Sequence, residues 1–288
     1  MILEIDNVEL NFGTKRILNG IYLKAETGIV TGILGSNGCG KSCLLNIIFG
    51  NLKPKYKLIR IDNKPILKPL YLTKLVKYLP QNLFLPNLKV SKIFKLFYVS
   101  WEKFTQEFPA FSKYEKTKVN RLSGGEQRIV EIYLILKSNS EIVLLDEPTA
   151  GLDPANAKKI RQIVKHLAGE TTFIISSHNL DELEKLCDHV IYLENGQLQQ
   201  SVSIKASQAT DFITLTMQSC DMDKLHQQLL GLSHVIEVKR SGDEQYVIEY
   251  HKQSSFELEN QLLALFNEQQ WQYKAILKGR TLEETLFS

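Results

Sequence analysis

At 288 residues, with 43% hydrophobic and 23% charged side chains, the chain can bury one large core or two domains and has the composition of an ordinary globular protein. No run of about 18 apolar residues offers a bilayer span, and the start, MILEIDNVEL, carries acids where a secretory signal needs a basic region. Cysteines 39, 43, 187 and 220 show neither CxxC spacing nor framework density, which argues for a reduced cytosolic interior over a disulfide scaffold.

The net charge of +3 conceals an asymmetry: residues 1–140 hold 22 Lys+Arg against 10 Asp+Glu, and residues 141–288 hold 13 against 22. A basic half suits nucleotides, nucleic acid or an anionic membrane face, and equally a solvated lysine-rich surface. Glutamine is skewed as well, 3 against 14 over the same stretches, as two joined ancestries would leave it.

Along the chain, GIVTGIL (28–34) reads as a short strand, followed by the loop GSNGCGKS and a helix, CLLNIIF, that Gly50 stops. Residues 82–121 break the rhythm. Two short amphipathic helices, about 90–98 and 100–107, rich in Lys and Phe, make a small helical insertion, taken with the next helix start as about 82–130. LSGGEQR (122–128) opens that next helix, with Ser123 as N-cap and Glu126 where a capping box wants it. The following run, EQRIVEIYLILKS, has the mixed pattern of a mostly buried helix. One glycine would serve the turn. Two leave the amides bare, and bare amides at a helix N-terminus form an anion site.

EIVLLDEP (141–148) is a continuous apolar strand ending in two acids. Asp153-Pro154 then opens ANAKKIRQIVKHLAG, with an acid at the N-cap, proline in the first turn and glycine at the end. TTFIISS is a buried strand, NLDELEKLCD a helix, and HVIYLENGQLQQ a hairpin on Asn195-Gly196. Buried strands alternating with helices predict a mostly parallel sheet covered on both faces. After about residue 200 the order becomes β-α-β-β-α-β, from DFITLTM to QYKAILKG, which is the ferredoxin-like arrangement. The predicted domains are 1–200 and 201–288.

Gly35, Ser36, Asn37, Gly38, Cys39, Gly40, Lys41 and Ser42 fit G-x-x-x-x-G-K-[ST] between a strand and a helix, as a phosphate loop requires. Successive amides wrap phosphates, Lys41 reaches the outer ones, and the Ser42 hydroxyl is a Mg²⁺ ligand; Cys43 beside it is grouped with the nucleotide contacts. Asp146 and Glu147 end a strand, where ligands bind in parallel sheets. Asp146 suits a Mg²⁺ partner and Glu147 a base for the attacking water, although an acidic pair at a strand end also serves as a salt-bridge site. His178 ends another strand, Gln81 lies in VKYLPQN and Phe12 in LNFGTK; each is as readily a loop or core residue as a functional one. Cys39 reads as a small filler in the loop.

A phosphate loop, PQN, LSGGEQ, IVLLDEPTAGLD and SSH, in that order, resemble the ATPase subunits of ABC transporters over about residues 1–200. The resemblance implies an α/β P-loop ATPase domain that has an antiparallel β subdomain and a reduced helical subdomain, followed by a small α+β domain. It assigns Phe12 to adenine stacking, Gln81 to sensing Mg²⁺ and the membrane partner, Asp153 to a dimer loop and His178 to a γ-phosphate switch. Catalysis would then rest on Glu147, His178, Gln81 and Lys41, and metal binding on Ser42, Gln81 and Asp146. Ser123, Gly124 and Gly125 would cap the γ-phosphate held by a second chain, in a head-to-tail homodimer or heterodimer. ATP and Mg²⁺ are the implied cofactors and a transmembrane permease the implied partner. The implied location is the cytoplasmic face of a bacterial membrane.

The tail, closing on GRTLEETLF (279–287), resembles the ATPases of bacterial type-2 exporters, so export is the expected direction. Methionine-importer ATPases also carry a ferredoxin-like tail, which binds ligand and gates the ATPase, and a dimer-stabilising tail without a ligand is a third reading. A soluble ABC-type protein on ribosomes or DNA is disfavoured by the single cassette and the lack of a heptad insertion, which leaves nucleic acid an unexpected partner. A GTPase is disfavoured because the NKxD motif is absent.

Overall fold

Apolar residues at the amino end build an antiparallel layer before any helix appears. The computed structural model describes residues 1–82, 85–203, 210–240 and 244–278, and the chain divides into two compact units, Met1–Ser201 and Val202–Ser288.

In the first unit β1 (Ile2–Phe12) and β2 (Lys15–Glu26) form a hairpin joined on its other edge by β4 (Tyr56–Ile61) and β5 (Lys64–Pro65). The sequence predicts no individual strand here. The reason lies in β1: Leu3 and Ile5 are buried, then the register shifts and Val8 and Leu10 are buried instead. Asn7 has φ 50° at that shift, so the bulge hides the period of two.

The second sheet runs β10-β9-β3-β8-β7-β6, with β6 Val76–Leu79, β3 Val30–Leu34, β7 Ile142–Asp146, β8 Thr172–Ser177, β9 His189–Glu194 and β10 Gln197–Ser203. Its ladders from β9 through β6 are parallel, as the unbroken apolar runs predict. The β9–β10 hairpin turns on Asn195 (φ 48°) and Gly196 (φ 76°), the two left-handed residues that such a turn needs.

Helix α1 (Lys41–Phe49) lies between the two sheets, with Leu44, Leu45, Ile47 and Ile48 fully buried in one core with β1, β2, β7 and β8. Each such side chain gains about 1.5–3 kcal/mol from burial, which makes α1 a fixed base for the loop before it. Gly50 ends it in the left-handed region, φ 105°.

The insertion holds the two expected short helices, α2 (Val90–Leu96) and α3 (Trp101–Glu107), followed by two 3₁₀ turns (Pro109–Tyr114 and Val119–Arg121). Phe94, Phe104, Phe108 and Phe111 close a small aromatic core on Tyr133 of α4 (Gly124–Leu136). Because α4 begins at Gly124, the predicted limit of 130 falls inside a helix rather than at its start. Helices α5 (Pro154–Leu167) and α6 (Leu180–Leu186) complete the unit. On α5, Ala157, Ile160, Ile163 and Val164 are buried along one amphipathic stripe.

The second unit contains β11 (Thr210–Ser219), α7 (Met222–Leu230), β12 (Val235–Arg240), β13 (Gln245–His251), α8 (Ser255–Gln269) and β14 (Gln272–Lys278). Its sheet is antiparallel in the order β12-β13-β11-β14, which is the ferredoxin-like order. Leu225 and Leu229 of α7 and Leu258, Leu262 and Phe266 of α8 pack against Ile213, Leu215, Tyr246 and Ile248 of the strands. The closing segment 279–287 lies outside the described residues.

Candidate functional site

The parallel register brings four strand ends to one edge. Leu34 pairs with Ser177, Asp146 with Ser176, and Leu79 with Leu145. The loop after β3, the acids after β7, the Ser177-His178 step after β8 and Gln81 after β6 therefore share the carboxyl edge of one sheet, where open α/β folds bind ligands.

A cavity of about 340 Å³ opens there, lined by Phe12, Ile17, Asn37, Gly38, Gly40, Lys41, Ser42, Cys43, Gln81, Asp146 and Glu147. Phe12, at the end of β1, is 53% exposed, so it is free to receive a planar group and is not spent on the core. Gly38 and Gly40 have φ 83° and 115°. Gly35 is tighter still: a Cβ there would lie 2.6 Å from both the Leu193 carbonyl oxygen and Cys39 Sγ. The buried Lys41 side chain folds back, and its ammonium donates to the carbonyls of Gly35 (2.6 Å) and Ser36 (3.1 Å).

Both acids are buried. Asp146 accepts from the Ser176 hydroxyl and, at 3.4 Å, from the Tyr78 hydroxyl. Burial and the Asp146 charge push the Tyr78 phenol well above its usual range. Glu147 sits at φ 47°, a left-handed position rare for a glutamate. Its Oε1 accepts from the His178 backbone N–H at 2.8 Å and faces His178 Nδ1 at 2.8 Å, while Oε2 accepts from the Ser177 hydroxyl at 3.1 Å. Lys41 Nζ is 4.0 Å from Oε1. His178 is thus tied to Glu147.

The sequence reading missed Arg128. It is buried on α4, and its guanidinium donates to the carbonyls of Pro80 (2.9 Å), Asp146 (2.9 Å) and Glu147 (3.1 Å). Glu131, one turn on, pairs with it at 3.4 Å. The available signal was an Arg–Glu pair, three residues apart, inside an apolar helix.

Ser123, Gly124 and Gly125 are not among the residues lining the cavity. Ser123 caps α4 by accepting from the Glu126 N–H (3.3 Å), and its own N–H donates to Glu126 Oε2 (2.8 Å). The Tyr114 hydroxyl, and then the Ser123 amide, hold the Glu126 carboxyl below the usual range. A Cβ on Gly124 would meet nothing within 4 Å. Asp153 caps α5, accepting from the Ala155 and Asn156 amides at 3.1 and 3.0 Å.

For a divalent cation the cavity offers the Ser42 hydroxyl, the Asp146 carboxylate and the Gln81 amide. These are hard oxygen donors of the kind Mg²⁺ takes. Among the described residues no group of three or more His, Cys, Asp and Glu side chains is placed to hold a metal ion. No described helix is long and apolar enough to cross a membrane.

The sequence profile of the ABC transporter family matches residues 18–150. A probable branched-chain amino acid transport ATP-binding protein, LivG, of Methanocaldococcus jannaschii is 33% identical over 225 residues, covering 68% of this chain and 88% of that protein. The ribose import ATP-binding protein RbsA of a Ruegeria species is 31% identical over 215 residues, covering 68% of this chain and 42% of that one. Among solved structures, a dimeric post-hydrolysis ATP-binding cassette bound to ADP and Pi superimposes with a TM-score of 0.60 at 26% identity, covering 70% of this chain and 98% of the other.

Proposed function

The chain belongs to the ATP-binding proteins of ABC transporters, which are P-loop ATPases, and from that premise we propose that its 340 Å³ cavity holds Mg²⁺-ATP for hydrolysis. One observation carries this reading: Phe12, the phosphate loop, Gln81, Asp146 and Glu147 line a single cavity although they come from four separate segments.

In this reading Phe12 stacks on the adenine, and the amides of Gly35 to Gly40, with Ser42 and Cys43, receive the phosphates. Lys41 exchanges the carbonyls of Gly35 and Ser36 for the outer phosphate oxygens. Ser42, Asp146 and Gln81 would hold Mg²⁺, which when bound neutralises developing phosphate charge. Glu147 takes a proton from the attacking water, and His178, already on Oε1, fixes that carboxylate and turns toward the γ-phosphate. Burial keeps Glu147 out of bulk water, so positioning and charge do most of the work.

Hydrolysis proceeds in a head-to-tail dimer, with Ser123, Gly124 and Gly125 of one chain on the triphosphate of the other. The open space at Gly124 supports this, since nothing in its own chain fills it. The dimer drives a separate membrane permease from its cytoplasmic face. For direction we infer export, resting on the βαββαβ unit after the cassette. Import is the second reading, favoured by the similarity to a ribose import protein.

Lys41→Ala tests the site, because it removes the single cation among the described residues that line the cavity. Equilibrium binding of labelled ATP should fall by about 10²-fold, as losing charge-assisted hydrogen bonds implies. Undiminished binding removes the cavity from the function. Cargo uptake into inverted, compared with right-side-out, vesicles carrying the permease decides the direction.

A further inference from the structure

The Ser177 hydroxyl has more partners than its one proton can serve with full hydrogen bonds when both neighbouring carboxyls are ionised. A serine oxygen carries one proton and two lone pairs. Three groups surround this one: the Asn179 N–H, donating at 3.1 Å, Glu182 Oε2 at 2.8 Å and Glu147 Oε2 at 3.1 Å. The amide uses one lone pair, and the serine proton serves one carboxyl oxygen. The remaining lone pair then faces the other carboxyl oxygen; a proton on this second carboxyl turns a proton shared between two acceptors into two full hydrogen bonds.

The surroundings decide which carboxyl it is. Glu147 has the His178 amide and ring at 2.8 Å and the Lys41 ammonium at 4.0 Å. Among the described residues, Glu182, on α6, has only the Thr149 N–H at 3.3 Å on its other oxygen. The ionisable groups that face Glu182 are Glu147, Arg161 and, under its influence, the buried Cys187 thiol. Burial chiefly raises the Glu182 carboxyl above its usual range; Ser177 opposes this, and the Glu147 charge adds to it.

We propose that Glu182, as a neutral carboxylic acid, is a positioning residue for ATP hydrolysis: it donates to Ser177, Ser177 donates to Glu147, and its second oxygen ties in the loop from Thr149 to Asp153. This rests on the reading of Glu147 as the base. The chain of hydrogen bonds fixes the Glu147 side chain from the side opposite His178. It also places the start of the loop assigned to the dimer contact on the same relay.

Steady-state ATP hydrolysis by the full chain tests it, across the neutral and alkaline range. Glu182→Ala should lower kcat by about 10- to 100-fold with little change in KM, the loss expected for one hydrogen bond to a charged group. Glu182→Gln, whose amide N–H still donates to Ser177, should restore most of that loss and abolish an alkaline decline present in the native chain. Ser177→Ala should match Glu182→Ala, and the double variant should be no worse than either.

Thermal unfolding gives a readout apart from activity. With the Glu182 pKa raised in the fold, the native chain should lose stability relative to Glu182→Gln as pH rises from the unfolded carboxylate value through the folded one. Parallel Tm–pH curves would overturn the proposal, as would a folded Glu182→Gln as inactive as Glu182→Ala. Should Glu182→Ala fail to fold, the Gln and Ser177 variants carry the test. Glu147→Gln separates the two readings. Full activity in that variant removes the base itself, whereas its inactivity beside a native-like Glu182→Ala removes this inference alone.

Discussion

The loop before α1 and the first turn of α4 are both glycine-rich helix starts, and a side chain added to each meets different surroundings. At Gly35 a Cβ would lie 2.6 Å from the Leu193 carbonyl oxygen, and at Gly40 it would lie 2.9 Å from Leu18, with φ 115° as well. At Gly124 it would meet nothing within 4 Å, and at Gly125 it would reach only the Gly151 carbonyl at 3.4 Å. Gly35 and Gly40 are required by the chain's own packing, and Gly38 by its left-handed backbone, φ 83°. Packing leaves Gly124 free to be any residue, so its glycine needs an explanation outside the chain. A surface that approaches the α4 amides from elsewhere, such as a triphosphate held by a second copy, supplies one.

The largest effect expected from this contrast is on turnover. Glu147→Gln should lower kcat by about 10²–10⁴-fold and retain ATP, trapping a dimer that closes the two glycine sites on each other. Light scattering with ATP would detect it, and a monomer throughout would break the pairing. Next is Gly124→Asp, which should spare ATP binding and stability but block closure, since it sets a carboxylate toward a triphosphate. Mixing it with Lys41→Ala should regain part of the hydrolysis, because one site of each mixed dimer is intact. Gly124 is a cleaner position for this than Gly125, which touches its own chain.

Three stability measurements complete the comparison. Gly35→Ala should cost about 1–3 kcal/mol through overpacking against backbone, read as a drop in the denaturant midpoint. Gly124→Ala should leave that midpoint unchanged or raise it by a few tenths of a kcal/mol. Between them, Ser123→Ala should cost about 1 kcal/mol as a lost helix cap. A Gly124→Ala as damaging as Gly35→Ala would mean that both glycine sets serve their own fold.

Some of this was legible in the residues, and the reasons are local. The phosphate loop reads directly because its glycine spacing and the flanking strand and helix are all encoded within about twenty residues. The parallel strands read because burial on both faces leaves runs such as IVLLD and TFIIS. The antiparallel layer did not, since the bulge at Asn7 moves the buried set of β1 by one residue. Glu182 was not singled out: its Ser177 partner is five residues away, but the distant Thr149 amide and Glu147 beyond Ser177 are brought to it only by the fold. The left-handed backbone of Glu147 has no sequence sign, since nothing in the letter E marks a residue held at φ 47°.

Arg128 has a consequence for how this protein can change over generations. Its flat fork spans Pro80, next to Gln81, and the two acids at the end of β7, reaching carbonyls that every substitution at those positions would leave in place. The partners are therefore immune to mutation while Arg128 itself is not. A lysine would keep the charge, but its single ammonium cannot present two nitrogens in one plane. Drift can rewrite the side chains around this junction freely, yet the junction has one heritable point of failure, and it sits on the same helix that opens with the bare glycines.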